Sequence, residues 1–232
     1  MKERLYKLDD TVLSVSGNAE KFLNGLTSNL LDQHLNAFLN QHGRVIAVCF
    51  QEKKQEDLFL LSVPKIAVDG LLKHLERYAK LNHITIVPSE YKSYMDINLG
   101  RVLFLKETKE SNVSAKEFTL FRLDKKFPLM GVSAKGGSPP KADQPLADAS
   151  GGDFQADEFI LNIDELAYVS YTKGCFLGQE PVAKVHNRSK PSRKLVVKFE
   201  DECSPEEASH MTSKVKDPTT GRVKGFVFLP NI

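Results

Sequence analysis

Two spacings alternate along the first ninety residues of the chain. Short apolar runs at 12–15, 45–50, 58–62 and 84–87 predict strands. Between them the apolar residues shift to helical spacing. Asn18 stands where it can cap a short helix with Phe22, Leu23 and Leu26 on one side. A longer helix is expected from Pro64, a residue suited to a first helical turn. Its Val68, Leu71, Leu72, Leu75 and Ala79 fall at i, i+3, i+4, i+7 and i+11 and make one face apolar. Further strands are expected at 95–99, 101–105, 118–123, 195–199 and 225–229, and a short amphipathic helix over 157–167. The stretch 133–152 holds Gly136-Gly137, Pro139-Pro140, Pro145 and Gly151-Gly152 and reads as a loop. No internal repeat is visible. Strands alternating with helices that each carry one apolar face predict an α+β molecule, with helices packed on a sheet.

Composition narrows the class without choosing a function. The chain has 232 residues, 41% hydrophobic and 27% charged, as in an ordinary soluble globular protein. A formal net charge of +2 gives no global reason to expect nucleic acid or membrane binding. No apolar stretch approaches membrane-spanning length, and the start, Met1-Lys2-Glu3-Arg4-Leu5, has no signal core. Three well-separated cysteines make neither a disulfide framework nor a zinc spacing, so a cytoplasmic, reducing compartment is expected. The six histidines show no metal-ligand spacing, and no stable metal is expected.

The densest chemistry lies in Lys173-Gly174-Cys175-Phe176-Leu177-Gly178-Gln179-Glu180. Gly174 and Gly178 permit tight turns and close approach of a ligand. Lys173 is two residues from the thiol, and a nearby cation lowers a cysteine pKa from its free value of about 8.5. Gln179 and Glu180 offer amide and carboxylate groups to a polar heterocycle. The same features also describe a turn with a buried cysteine. The other thiols are poorer candidates. Cys49 ends the run 45–50, a buried strand, and Cys203 is expected to be exposed and unreactive among Glu200, Asp201, Glu202, Glu206 and Glu207. Between Pro181 and Lys198 stand Lys184, Arg188, Lys190, Arg193, Lys194 and Lys198 with no acid. That run reads either as a solvated edge or as a rim for carboxylates or phosphates, with too little aromatic interleaving for base stacking. Arg44 reads equally as a ligand contact or a surface ion pair. Asn29 and Thr27 read as ligand contacts or, more commonly, as turn caps. His186 could approach Cys175, yet no oxyanion-hole motif accompanies it.

The eight-residue run closely resembles the K-G-C-F/Y-x-G-Q-E signature of the YgfZ family of folate-binding proteins, relatives of the glycine cleavage T-protein, aminomethyltransferase. Three other segments, in family order, are similar to its patterns. Asn162-Ile163-Asp164-Glu165-Leu166 followed by Val169-Ser170-Tyr171 resembles N-L-D-x-L and an I-S-F strand. Val15-Ser16-Gly17-Asn18, Phe22-Leu23 and Leu26-Thr27-Ser28-Asn29 resemble the family opening. Leu39-Asn40-Gln41-His42-Gly43-Arg44-Val45 resembles L-N-x-x-G-R-V.

The resemblance implies a folate-binding core of two intertwined α/β subdomains over 1–188. A small C-terminal β-barrel over 189–232 should follow, abridged because family members usually carry more chain there. It implies tetrahydrofolate or a related reduced folate as ligand, and assistance to iron–sulfur cluster assembly or repair, with consequences for cluster-dependent tRNA-modifying enzymes. Partners would be folate and, transiently, iron–sulfur proteins; a monomer is expected, and neither membrane nor nucleic acid. Cys175 and Lys173 would be the working pair, with Lys173, Gly174, Gly178, Gln179, Glu180, Asn29, Arg44 and Arg188 around the ligand. The T-protein relatives carry an acidic pair just after the L-N-x-x-G segment. Ala47 and Val48 stand in the matching stretch, so aminomethyl transfer by that route is not expected. Two alternatives stay open: a one-carbon transferase whose acid is Asp96 or Asp124, and a non-enzymatic interaction module using the basic run at 181–198.

Overall fold

The computed structural model describes residues 3–131 and 152–231. Its centre is an antiparallel five-stranded sheet. In chain order the strands are β2 (Asp10–Ser16), β3 (Leu35–Leu39), β4 (Val45–Gln55), β5 (Leu58–Pro64) and β6 (Thr85–Pro88), and their order in the sheet is β3-β4-β5-β2-β6. Both faces of this sheet are covered, which is why its strands read as near-continuous apolar runs. Leu13 and Val15 of β2, with Phe59, Leu61 and Val63 of β5, enter the larger core. Val12 and Leu60 point the other way into a second core, as the two-residue period of a strand requires.

The helices α1 (Ala19–Leu26) and α2 (Lys65–Asn82) cover the first face, burying Ala19, Phe22, Leu23 and Leu26 from one and Ala67, Leu71, Leu75 and Ala79 from the other. Asn18 does precede α1, but its side chain makes no cap bond. It takes a left-handed backbone conformation (φ 57°), which asparagine tolerates better than most residues. The second face is covered by the sheet of β1 (Leu5–Lys7), β7 (Lys92–Asp96) and β8 (Arg101–Leu105), in the order β1-β7-β8, together with α3 (Ala115–Asp124).

Several sequence expectations need correction. Residues 118–123 are not a strand but the middle of α3. Ser114 accepts from the Glu117 amide and Glu117 bonds back to Ser114, a capping box that nucleates the helix. Phe118, Thr119, Arg122 and Leu123 then share its buried side. The strand expected over 95–99 stops at Asp96, whose carboxylate accepts from the amides of Asn98 and Leu99 and closes a turn. The single helix over 157–167 is two short ones, α4 (Ile160–Ile163) and α5 (Glu165–Tyr168), parted at Asp164, whose side chain caps the second. The 169–171 stretch is not a strand: Ser170 makes a single backbone bond to a distant segment, from its amide to the Ser28 carbonyl at 3.0 Å. The expected loop at 133–152 lies, apart from Gly152, outside the described residues.

Past α6 (Gln179–Arg188) the chain forms an open three-stranded antiparallel sheet with α7 (Pro205–Ser209), not a barrel. The strands β11 (Arg193–Phe199), β12 (Thr212–Lys216) and β13 (Val223–Pro230) run in the order β11-β13-β12, leaving β11 and β12 as edges. Two-residue strands β9 (Met130–Gly131) and β10 (Phe154–Gln155) pair in parallel beside it. No helix among the described residues is long and apolar enough to cross a membrane.

Candidate functional site

The segments that carry the sequence motifs meet in space. Lys173 points inward, 7% exposed, and its ammonium donates to the backbone carbonyls of Thr27 and Asn29. The Leu177 amide donates to the Gly25 carbonyl at 3.0 Å. Gly178, at φ 85°, sits so close to the 39–43 turn that a Cβ there would lie 2.4 Å from the Asn40 carbonyl oxygen and 3.4 Å from the Gly43 Cα. The loop 172–177 is therefore moulded on the end of α1 and on the β3–β4 turn. Burial, unrelieved by any carboxylate, lowers the Lys173 pKa to about 8. Its ammonium donates to two main-chain carbonyls and, at 3.4 Å, to the Thr27 hydroxyl, so its visible role is to hold the loop.

Cys175 is exposed at the rim of a cleft of about 430 Å³ floored by Phe22, Leu26 and Phe176, with Lys21 and Tyr78 at its edge. Arg44 and Glu180 come together in a different cleft, of about 500 Å³, with His42, Phe159 and Lys184. The two clefts have no lining residue in common. Arg44 also donates to the Asp157 carbonyl at 2.7 Å. Asn29 is buried and spends its side-chain amide on the carbonyls of Leu35 and Ala167. Gln179 opens α6, and Arg188 ends it in solvent. A Cβ on Gly174 would meet nothing within 4 Å. His186 is bonded through Nδ1 to Glu165 and stacked on Tyr171.

The remaining thiols differ as the sequence suggests, with one change of cause. Cys49 is buried in β4, and burial, then Asp10, pushes its thiol pKa far up. Cys203 is half-buried rather than exposed and donates from Sγ to the Phe199 carbonyl at 3.3 Å. Its pKa is raised first by burial; Lys198 opposes, and the neighbouring carboxylates add to the rise. Limited alkylation with peptide mapping is expected to label Cys175 first, at least about tenfold faster than Cys203, because reactivity follows exposure and thiolate fraction. Earlier labelling of Cys49 or Cys203 would contradict the assignment.

Sequence reasoning missed a set of interior polar residues. The Tyr168 hydroxyl and the Arg122 Nε are buried with no hydrogen-bond partner among the described residues. Asp164, Cys49 and Asp153 all lie within electrostatic reach of Tyr168. Buried polar groups are normally satisfied, and both side chains are fully buried and line neither cleft. Both residues stand in runs of mainly apolar character, where no spacing marks them as polar contacts. Of the acids weighed for transfer chemistry, Asp96 caps its turn and Asp124 pairs with Lys224 at 2.7 Å. No group of three metal-ligating side chains occurs among the described residues.

No family model matches the chain, and no curated protein matches it. Among solved structures, the aminomethyltransferase T of the glycine cleavage system from Bartonella henselae is similar, with a TM-score of 0.60 at 14% identity, over 97% of this chain and 78% of that one. The described elements thus form a mixed α/β fold of the aminomethyltransferase-T kind.

Proposed function

We propose that this protein is a YgfZ-type folate-binding protein. It binds tetrahydrofolate or a related reduced folate, and uses Cys175 to assist iron–sulfur cluster assembly or repair. The observation that carries the reading is the convergence just described. Segments far apart in sequence, each resembling a family motif, pack onto one loop that presents a thiol, inside an aminomethyltransferase-T-like fold. The cleft of about 430 Å³ at the thiol, with Phe22, Tyr78 and Phe176 in its lining, offers aromatic surface to a flat heterocycle. When bound, a reduced folate supplies a carrier for one-carbon units. The aromatic lining of the cleft would seat its ring system, and the Lys173-anchored loop would fix the thiol. Ala47 and Val48 lie buried on β4 and offer no proton acceptor, so the aminomethyl transfer of the T-protein is not part of the proposal.

Tetrahydrofolate is expected to raise the melting temperature by mass action. Cys175→Ala should leave folding and folate affinity within about twofold, since Sγ offers at most a weak hydrogen bond. The same variant should fail to restore cluster-enzyme activity in a strain lacking the protein. Full complementation by Cys175→Ala would remove the thiol from the function. Absence of tetrahydrofolate binding by the wild type would remove the folate, and production of methylenetetrahydrofolate from an aminomethyl-loaded carrier would restore the transferase alternative.

A further inference from the structure

Three segments bracket the thiol loop: α5 before it, Tyr171 at its first turn, and α6 after it. They are joined at one oxygen. The Tyr171 hydroxyl donates to Glu165 Oε1 at 2.6 Å. His186 Nδ1 bonds to the same oxygen. A carboxylate can only accept, so Nδ1 carries the proton. The Tyr171 and His186 rings stack at 3.9 Å with 22° between their planes. All three side chains are partly open to solvent, and none belongs to either hydrophobic core.

We propose that Glu165, Tyr171 and His186 are positioning residues, a clasp that holds the loop 172–177 so that Cys175 stays at the rim of its cleft. Lys173, Phe176 and Gly178 fix the inner side of the loop, but Tyr171, Thr172, Gly174 and Cys175 face outward. Of the outward-facing residues of the loop and its approach, Tyr171 bears a hydrogen bond and an aromatic stack that tie it to helices on either side of the loop. The functional weight of the clasp rests on Cys175 being the working thiol; its structural action does not.

Glu165→Ala removes the shared acceptor. Cys175 is then expected to alkylate at least about threefold faster, as the loop leaves the cleft. The Leu177 amide, held by Gly25 at 3.0 Å in the intact protein, should exchange about five to ten times faster, the factor that one net hydrogen bond represents. The melting temperature should stay within about 3 °C and Cys49 should stay unlabelled, because no core contact is touched. Glu165→Gln keeps an acceptor oxygen and should restore wild-type rates. Glu165→Ala combined with His186→Ala also removes the ring stacked on Tyr171, and should speed both rates beyond Glu165→Ala alone, by less than the product of the two single effects. Unchanged Cys175 and Leu177 rates in a folded Glu165→Ala protein would overturn the proposal. So would a general rise in exchange with labelling of Cys49, which marks loss of the fold rather than of the loop. Should Glu165→Ala not fold, Tyr171→Phe removes a single surface oxygen and must still speed Cys175 alkylation. None of these readouts uses folate, so they stand apart from the titration and complementation that decide the proposed function.

Discussion

Gly178→Ala is expected to cost about 2–5 kcal/mol of stability, while Gly174→Ala, four residues earlier in the same motif, changes it by no more than about 0.5 kcal/mol. The two glycines look alike in the sequence and meet different surroundings. Gly178 caps α6 in a left-handed conformation (φ 85°, ψ 4°), which costs an L-residue with a Cβ about 1–2 kcal/mol. The added methyl would also lie 2.4 Å from the Asn40 carbonyl oxygen and 3.1 Å from the Leu39 Cβ. These neighbours cannot swing aside, because the Asn40 amide is bonded to the Arg44 carbonyl and its carbonyl receives the Gly43 amide. The turn itself must move, at an overpacking cost of about 1–3 kcal/mol. Gly174 has open space where a Cβ would go and no positive φ. Denaturant midpoints of the two variants test the contrast. Equal destabilisation would mean that the loop is not seated on the 39–43 turn. If Gly174→Ala keeps its stability but loses tetrahydrofolate binding, close approach of a ligand is the reason for a glycine there.

The contrast shows what the sequence could and could not reveal about the site. The motif run reads as a loop with a usable thiol, and Cys175 is the exposed one of the three, whereas Cys203, expected exposed, is half-buried. The run cannot tell a glycine required by backbone geometry from one with open space beside it, since that depends on what the 39–43 turn places opposite. Lys173 shows the same limit. Two residues from Cys175 it reads as a cation for the thiol, but its side chain reaches inward to carbonyls on the end of α1. Four of the five strands of the central sheet and the face of α2 were legible from their apolar runs; β3 was not, a five-residue strand with a buried polar residue, Asn36, inside it. Nor was the helix at 118–123. Its Phe, Thr and Leu residues in a short run fit a strand, while the deciding signal, Ser114 with Glu117, lies upstream of the run. The C-terminal barrel expected from the resemblance is an open sheet, joined to the core by Leu195, Val215 and Phe226 and by hydroxyls that reach a buried charge pair from far along the sequence.

That pair carries the second large expectation: Asp153→Ala should lose about 3–5 kcal/mol. Arg122 and Asp153 are fully buried and meet at 2.7 Å. Asp153 is a hub: Oδ2 accepts from Arg122 and from the Leu129 amide, and Oδ1 from the hydroxyls of Thr212 and Ser213. Arg122 Nη2 donates in turn to Ser213 Oγ at 2.7 Å, and its guanidinium lies between the rings of Phe118 and Phe226. Ser213 reaches this network from an irregular point in the β12–β13 pairing, with a positive φ of 50°, a conformation that serine adopts at a cost. The helix α3 of the second core, the segment leading into β9 and the C-terminal sheet thus meet at one carboxylate. Removing it leaves an uncompensated guanidinium out of water, and that penalty exceeds what any surface ion pair of this chain contributes. Adding Arg122→Met to Asp153→Ala removes the stranded charge, so the double variant is expected to be more stable than Asp153→Ala alone, by about 1–3 kcal/mol. Denaturant unfolding of the three proteins, followed by far-ultraviolet dichroism and by labelling of Cys203 on the C-terminal sheet, measures both terms. A loss below about 1 kcal/mol in Asp153→Ala would show that water reaches the pair and that the C-terminal sheet is held by apolar contacts alone.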